Sequence, residues 1–441
     1  MNFATVFRAC SALRASPLAL GLVLFYFSFS FSRDYEFTRG DIAYAPEIVS
    51  FVLDPTYALA YATACSLATW ESGRIKRDGV WASAPVRSRY GIAAHALLPV
   101  LLLAWAMFVL PVVLGLIGEG VAFTRDCVPL LAMALFVAAA HCVIGFAIGL
   151  VVPRLIAAPL LAAGVFYSVA SSASSGEWMW PRHVSGAFSS ILSFGERTTW
   201  TALAPHFLFT GSIALGIAVL GVPLRNRRVR PVIPVIACAV ALTGTLTAHN
   251  IAEDWGHTAP LSVGHADMKC AGAAPRVCVP AAGGADPDHA RADAEAVFSE
   301  LAAAGVRMTP PHTISDSVIN GARSRPSTSD TWWIPLTTSQ REATTRYQML
   351  TQAVRFPCTR TTDEVASRSA MLWAAQHTGE EKRYLKGQRE ELAQFDNGDE
   401  VFALIKERVA TVRRSSTAAQ ASWYQSELRR ACGDARRAGD T

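Results

Sequence analysis

Seven apolar runs, separated by polar stretches that are alternately basic and acidic, fill the first 248 residues of this 441-residue chain. The runs cover roughly residues 17 to 32, 51 to 70, 91 to 117, 128 to 152, 155 to 173, 205 to 222 and 232 to 248. Each is near the length of about 17 to 25 residues that a helix needs to cross hydrocarbon. The pattern predicts an all-α protein: a polytopic membrane helix bundle of about seven spans over residues 1–248, a linker over 249–268, and a mainly helical soluble domain over 269–441.

Orientation follows from the basic residues, because positive flanks stay on the cytoplasmic side during insertion. Arg8 and Arg14 precede the first span. Arg74, Lys76, Arg77, Arg87 and Arg89 follow the second, Arg154 the fourth, and Arg225, Arg227, Arg228 and Arg230 the sixth, with Glu71 and Asp78 as the acids among them. The alternate connections hold Asp34, Glu36, Asp41, Glu47, Asp54, Glu119, Asp126, Glu177 and Glu196 against Arg33, Arg39, Arg125, Arg182 and Arg197. The expectation is a multi-pass protein of the cell membrane, with a cytoplasmic N-terminus and an extracytoplasmic C-terminal domain. Arg33 and Asp34 end the first run abruptly with no clean cleavage site, so that run is expected to stay as a span. The formal charge of +5 belongs to the membrane half. It is a topology signal, and the partner it implies is the lipid bilayer and no nucleic acid.

The nine cysteines divide in the same way. Cys10, Cys65, Cys142 and Cys238 lie in or beside apolar runs as small hydrophobes, and Cys127 sits at the outer end of the fourth. Cys270, Cys278, Cys358 and Cys432 are in the soluble region, in a compartment where disulfides persist. Three pairings are open; the simplest joins Cys270 to Cys278 and Cys358 to Cys432. A four-cysteine zinc site lacks paired CxxC spacing.

Past His249 the chain turns polar, and Gly283, Gly284, Pro287, Pro310, Pro311 and Pro326 punctuate it. Asp286 and Asp288 start a helix that runs through about Ala304, with Ala294, Val297, Phe298 and Leu301 on one face and Gly305 as its stop. Further helical periodicity covers 337–356, 362–376 and 398–414, and Ser415 or Ser416 opens a last helix carrying Trp423, Leu428 and Cys432. Val277 to Val279 reads as a short strand. Trp332 and Trp333 either fill the core or form an exposed patch.

Catalytic chemistry is not legible. No Walker A pattern occurs, so this chain is not expected to bind and hydrolyse ATP by a P-loop mechanism. His249, His257 and His265 recur every eight residues beside Glu253, Asp254 and Asp267, a spacing that does not stack ligands on one helical face. No cofactor is expected, and no Ser-His-Asp or paired-carboxylate arrangement stands out. His141, inside the fourth span, is either a packing histidine or a residue of a transport path.

One segment has an order that the positive flanks alone do not explain. After the second span come Glu71, the basic cluster Arg74, Lys76 and Arg77, then Gly79, Val80, Trp81, the step Ala84-Pro85, Val86, Arg87 and Arg89. It resembles the segment after the second transmembrane helix in permeases of type-2 ABC exporters, where an acid, a basic patch, a glycine and a Ser/Ala-Pro step precede a short coupling helix. The first fourteen residues, with Phe3, Val6, Phe7, Cys10 and Leu13 on one stripe, resemble that family's elbow helix; they also fit a plain extension of the first span. Residues 174–204 fit its external re-entrant hairpin, opened by Glu177, Trp178, Trp180, Pro181 and Arg182, or an ordinary external loop. The resemblance covers about residues 1 to 222, and the seventh span with its outer domain is an addition to it.

The resemblance implies the transmembrane subunit of an ABC-type exporter or export-related complex, paired as a homodimer or heterodimer of membrane subunits and coupled to a separate ABC ATPase. Glu71 would orient the basic groups, Arg74, Lys76, Arg77, Arg87 and Arg89 would make charged contacts, and Val80, Trp81 and Val86 would give an apolar docking face. The alternative is a non-transporting membrane receptor or scaffold whose outer domain is the binding module.

Overall fold

The computed structural model describes residues 10–35, 40, 42–83, 88–174, 179–222, 231–323, 325–355, 358 and 361–432. Two compact units divide between Val263 and Gly264.

In the first unit the apolar runs are helices: α1 (Ser11–Ser30, continued by a π-turn at Phe31–Tyr35), α2 (Ala45–Arg77), α4 (Arg89–Gly118), α5 (Val128–Val151), α6 (Arg154–Ser172), α7 (Trp200–Leu220) and α8 (Val232–Ala252). These seven are long and apolar enough to cross a membrane. A four-residue helix, α3 (Val80–Ser83), lies between α2 and α4.

α2 is the axis of the bundle. It is buried at intervals from Ala45 to Ile75 and packs on α1, α4, α5 and α6. Its closest crossing is with α5, where Gly145 lies against the carbonyl of Cys65 and Gly149 against that of Thr69, leaving no room for a Cβ. Glycines four apart let two helix backbones meet, and in lipid such contact replaces the missing hydrophobic drive between helices. Thr69 Oγ1 adds a bond across the crossing, 2.8 Å from the Gly145 carbonyl. α8 packs chiefly on α7.

The segment before α7 is buried although it is irregular. In its described part, a 3-10 turn at Trp180–His183 leads into an extended stretch in which Val184, Ala187, Phe188, Leu192 and Phe194 are buried. The expected re-entrant hairpin is therefore not helical over these residues, and Glu177 and Trp178 lie outside the described ones. Irregular backbone in such a place needs protein partners for its polar groups. Tyr61 Oη donates to the Gly186 carbonyl at 2.8 Å, His206 Nδ1 accepts from Gly186 N–H at 3.0 Å, and Ser50 Oγ accepts from Leu192 N–H at 2.9 Å. Tyr44 Oη donates to the Glu196 carbonyl at 2.8 Å. Gly186 has φ +88° and abuts Val137, so only glycine fits there. The stretch ends in strand β1 (Arg197–Thr198), antiparallel to β2 (Leu261–Ser262).

The second unit is mainly helical but is built on a four-stranded sheet, in order β3 (Met268–Ala271), β4 (Arg276–Pro280), β5 (Thr313–Asp316) and β6 (Thr331–Ile334). β3 and β4 form an antiparallel hairpin, and β4, β5 and β6 run parallel, with α9 (Pro287–Ala303) as the crossover from β4 to β5. Asp286 caps α9 by accepting from Asp288 N–H. After β6 come α10 (Leu336–Arg341), α11 (Thr345–Arg355), α12 (Glu364–His377), α13 (Glu381–Leu392), α14 (Gly398–Val412) and α15 (Thr417–Cys432).

Alternation along β6 separates the two tryptophans. Trp332 is 1% exposed and meets Phe298 edge to face, whereas Trp333 is half-buried beneath the Arg325 guanidinium. Two disulfides close the unit: Cys270 to Cys278, directly opposite each other across the β3–β4 hairpin, and Cys358 to Cys432, which ties the end of α15 to the segment after α11.

Candidate functional site

The described basic residues after α2 and at the start of α6 meet at one end of the bundle, around the buried carboxylate of Glu71. Glu71 sits in the last turns of α2 with its side chain almost fully enclosed. Its Oε1 accepts from the Ser11 backbone N–H at 2.7 Å and lies 3.5 Å from Cys10 Sγ, while Oε2 is 2.9 Å from Arg74 Nη2. Ser11 is the first residue of α1, so this carboxylate satisfies an orphan N–H and faces the positive end of that helix. The same burial pushes the Cys10 thiol up to about 11, so it is no thiolate at neutral pH.

Outward from Glu71 the surface is basic. Lys76 and Arg77 are exposed, Arg77 Nε lies 3.0 Å from Asp78, and Gly79, at φ +64°, turns the chain into α3. Val80 and Trp81 are half-buried and pack against the membrane core, so much of their apolar surface is already occupied within the chain. Val86 and Arg87 lie outside the described residues, as do Ala84 and Pro85. Arg89 is exposed at the start of α4, whose N-cap Ser88 accepts from Gly91 N–H.

Two other connections join this end. Arg154, at the start of α6, lays its guanidinium 4.6 Å from the Trp70 ring and packs on Gly73. Tyr90 Oη donates to the Ala218 carbonyl near the end of α7 at 2.7 Å. Arg8, Arg225, Arg227, Arg228 and Arg230 are outside the described residues.

His141 is elsewhere, in the bundle interior. Its ring stacks on Tyr61 at 4.9 Å and 2°, and Nδ1 is 2.9 Å from the Val137 carbonyl one turn back. His249 pairs with Glu253 at 3.4 Å beside the Trp180 ring, and His257 Nδ1 is 3.3 Å from Arg182. Among the described residues, no group of three or more His, Cys, Asp and Glu side chains is placed to hold a metal ion. In the second unit, Asp316 is enclosed but accepts from Val318 N–H, Thr337 N–H and Thr337 Oγ1, and it fastens β5 to α10.

Sequence reading singled out Glu71 and the basic cluster but missed the side chains that hold the segment before α7. Their signal was present. Tyr44, Glu47, Ser50, Asp54, Tyr57 and Tyr61 recur every three or four residues, a stripe of polar-tipped side chains along the first half of α2.

No family model, no curated protein and no solved structure matches the chain.

Proposed function

We propose that the chain is the transmembrane subunit of an ABC-type exporter or export-related complex, driven by a separate ATPase that docks on the basic end between Glu71 and Tyr90. The observation that carries this reading is the Glu71 bond to Ser11. It joins the last turns of α2 to the first turn of α1 beside an exposed basic surface, so a push on the segment after α2 reaches two spans together. Transport of this kind needs a membrane assembly with two forms, biased by the partner's nucleotide-driven closure.

A second membrane subunit, identical or related, completes the proposed assembly. α1, α2 and α6 leave a lipid-side groove of ≈ 400 Å³ lined by small residues that include Ala15, Ala19, Ala62, Ser66, Ala162 and Ala163. Small residues favour close helix association in a bilayer. In this reading the N-terminus and the basic end are cytoplasmic and the second unit is extracytoplasmic.

The competing reading, a receptor or scaffold that transports nothing, is supported by the second unit's own core and two disulfides. Co-purification with a candidate ABC ATPase separates the two. Deleting residues 76 to 88 is expected to abolish the association while leaving membrane insertion intact; undiminished association would remove the reason to prefer a transporter. A thiol placed at Gly79 should label only from the cytoplasmic side, and one at Thr351 only from outside.

A further inference from the structure

The second unit holds a small polar cavity that the transport reading leaves unused. α11, α12 and α13, with Leu428 of α15, enclose ≈ 300 Å³ beside Cys358 of the long-range disulfide. That is the lower end of the range of about 300 to 1,000 Å³ typical of small-molecule sites.

One wall of the cavity is a fixed polar lattice. Arg368, its side chain 16% exposed, donates to Gln388 Oε1 and, at 2.7 Å, to Glu391 Oε1, and its Nε lies 3.5 Å from Glu364 Oε2. Gln388 Nε2 donates to Glu391 Oε2 at 3.1 Å, and Tyr384 Oη donates to the Arg368 carbonyl at 2.8 Å. Every member is locked by another, the condition under which a buried polar network holds one geometry.

Two opposite charges remain at the rim. Arg355 lines the cavity, yet among the described residues its guanidinium makes no hydrogen bond or ion pair. Its charge is within reach of Tyr347, Tyr384 and Glu391, which line the same cavity. Glu364 meets Arg368 through Oε2 at 3.5 Å, and its side chain is 67% exposed, so the carboxylate has room to accept from a ligand. Arg355 and Glu364 thus face the same space without pairing with each other.

We propose that this cavity binds a small zwitterion of amino-acid size, its carboxylate on Arg355 and its ammonium on the acceptor oxygens of Glu364 and Glu391. A guanidinium offers a forked pair of donors matched to a carboxylate. The two arginines and two glutamates that line the cavity cancel, so a lone anion meets the acids and a lone cation meets the bases. A molecule with separated charges and no net charge is opposed by neither. This inference does not rest on the coupling to an ATPase.

The test uses the full chain in lipid nanodiscs, with glycine, L-glutamine and the dipeptide Ala-Ala as probes and acetate and methylammonium as half-charged controls, read by calorimetric titration. At least one zwitterion is expected to bind saturably, with both controls about tenfold weaker or more. Arg355→Gln and Glu364→Gln should each weaken it by about tenfold or more, because each leaves one ligand charge unmatched. Both positions are exposed, and intact Cys358–Cys432 pairing on non-reducing peptide maps verifies the fold of each variant. The proposal is overturned if no probe binds up to about 10 mM, if acetate binds as tightly as the zwitterions, or if both variants bind like the parent.

Discussion

Glu71 accepts a hydrogen bond from the backbone N–H of Ser11, sixty residues earlier in the chain, at 2.7 Å. The bond ties the first residue of α1 to the last turns of α2, and it fixes where α1 begins. Glu71→Ala leaves a helix N-terminus and Arg74 without their carboxylate, at an expected cost of about 1–3 kcal/mol. Glu71→Gln keeps an acceptor and should lose less. Thermal unfolding in detergent reads both, and an Ala variant as stable as the parent would refute the anchoring role.

The irregular segment at 184–196 should loosen when its side-chain partners are removed. Ser50→Ala strands the Leu192 N–H and Tyr61→Phe strands the Gly186 carbonyl, each an expected loss of about 1–3 kcal/mol in a buried setting. Hydrogen exchange of residues 186 to 196 should accelerate in both variants while the α5 amides keep their protection.

Acid should weaken the same region through His183. Burial, with the Arg182 charge also acting, holds this imidazole below its ordinary value, and the Gly256 carbonyl 2.9 Å from Nε2 works in the other direction. The folded chain therefore takes up this proton at lower pH than the unfolded chain. The contribution is fully present above the ordinary histidine value of about 6.5 and is lost as pH falls through it toward the lower folded value. A melting-temperature profile should show that loss in the parent and a flatter slope in His183→Gln.

The two disulfides should differ in worth. Chain-entropy reasoning gives about 2.5 kcal/mol for a loop the length of Cys270–Cys278 and about 4.5 kcal/mol for one the length of Cys358–Cys432, whose sequence separations are 8 and 74. Paired Cys→Ser replacements compared by denaturant unfolding of the full chain check the order. Equal losses would show that strain or residual structure outweighs loop length.

The helices of the membrane unit were legible because bilayer thickness and backbone bonding leave an apolar run of this length one conformation. The sheet of the second unit was not. β3, β5 and β6 are four residues each, too short to display a period, and only Val277 to Val279 stood out as a strand. Glu71 was legible from its place beside the arginines, but its partner was not, because nothing in the order of residues says that α1 starts against the last turns of α2. The cavity beside Cys358 was invisible for a related reason: Arg355, Glu364 and Glu391 come from three helices and meet only through folding.

α2 is a single helix of 33 residues, about 50 Å from end to end. From its first half and its middle Ser50 and Tyr61 hold the segment before α7, and near the other end Glu71 holds the start of α1. Such a rod has a register with the rest of the molecule, as a key has with its lock. Sliding it by one residue, about 1.5 Å, exceeds what hydrogen bonds of this length tolerate, so both ends would have to let go in the same movement. The segment before α7 and the start of α1 are thereby made to keep time with each other.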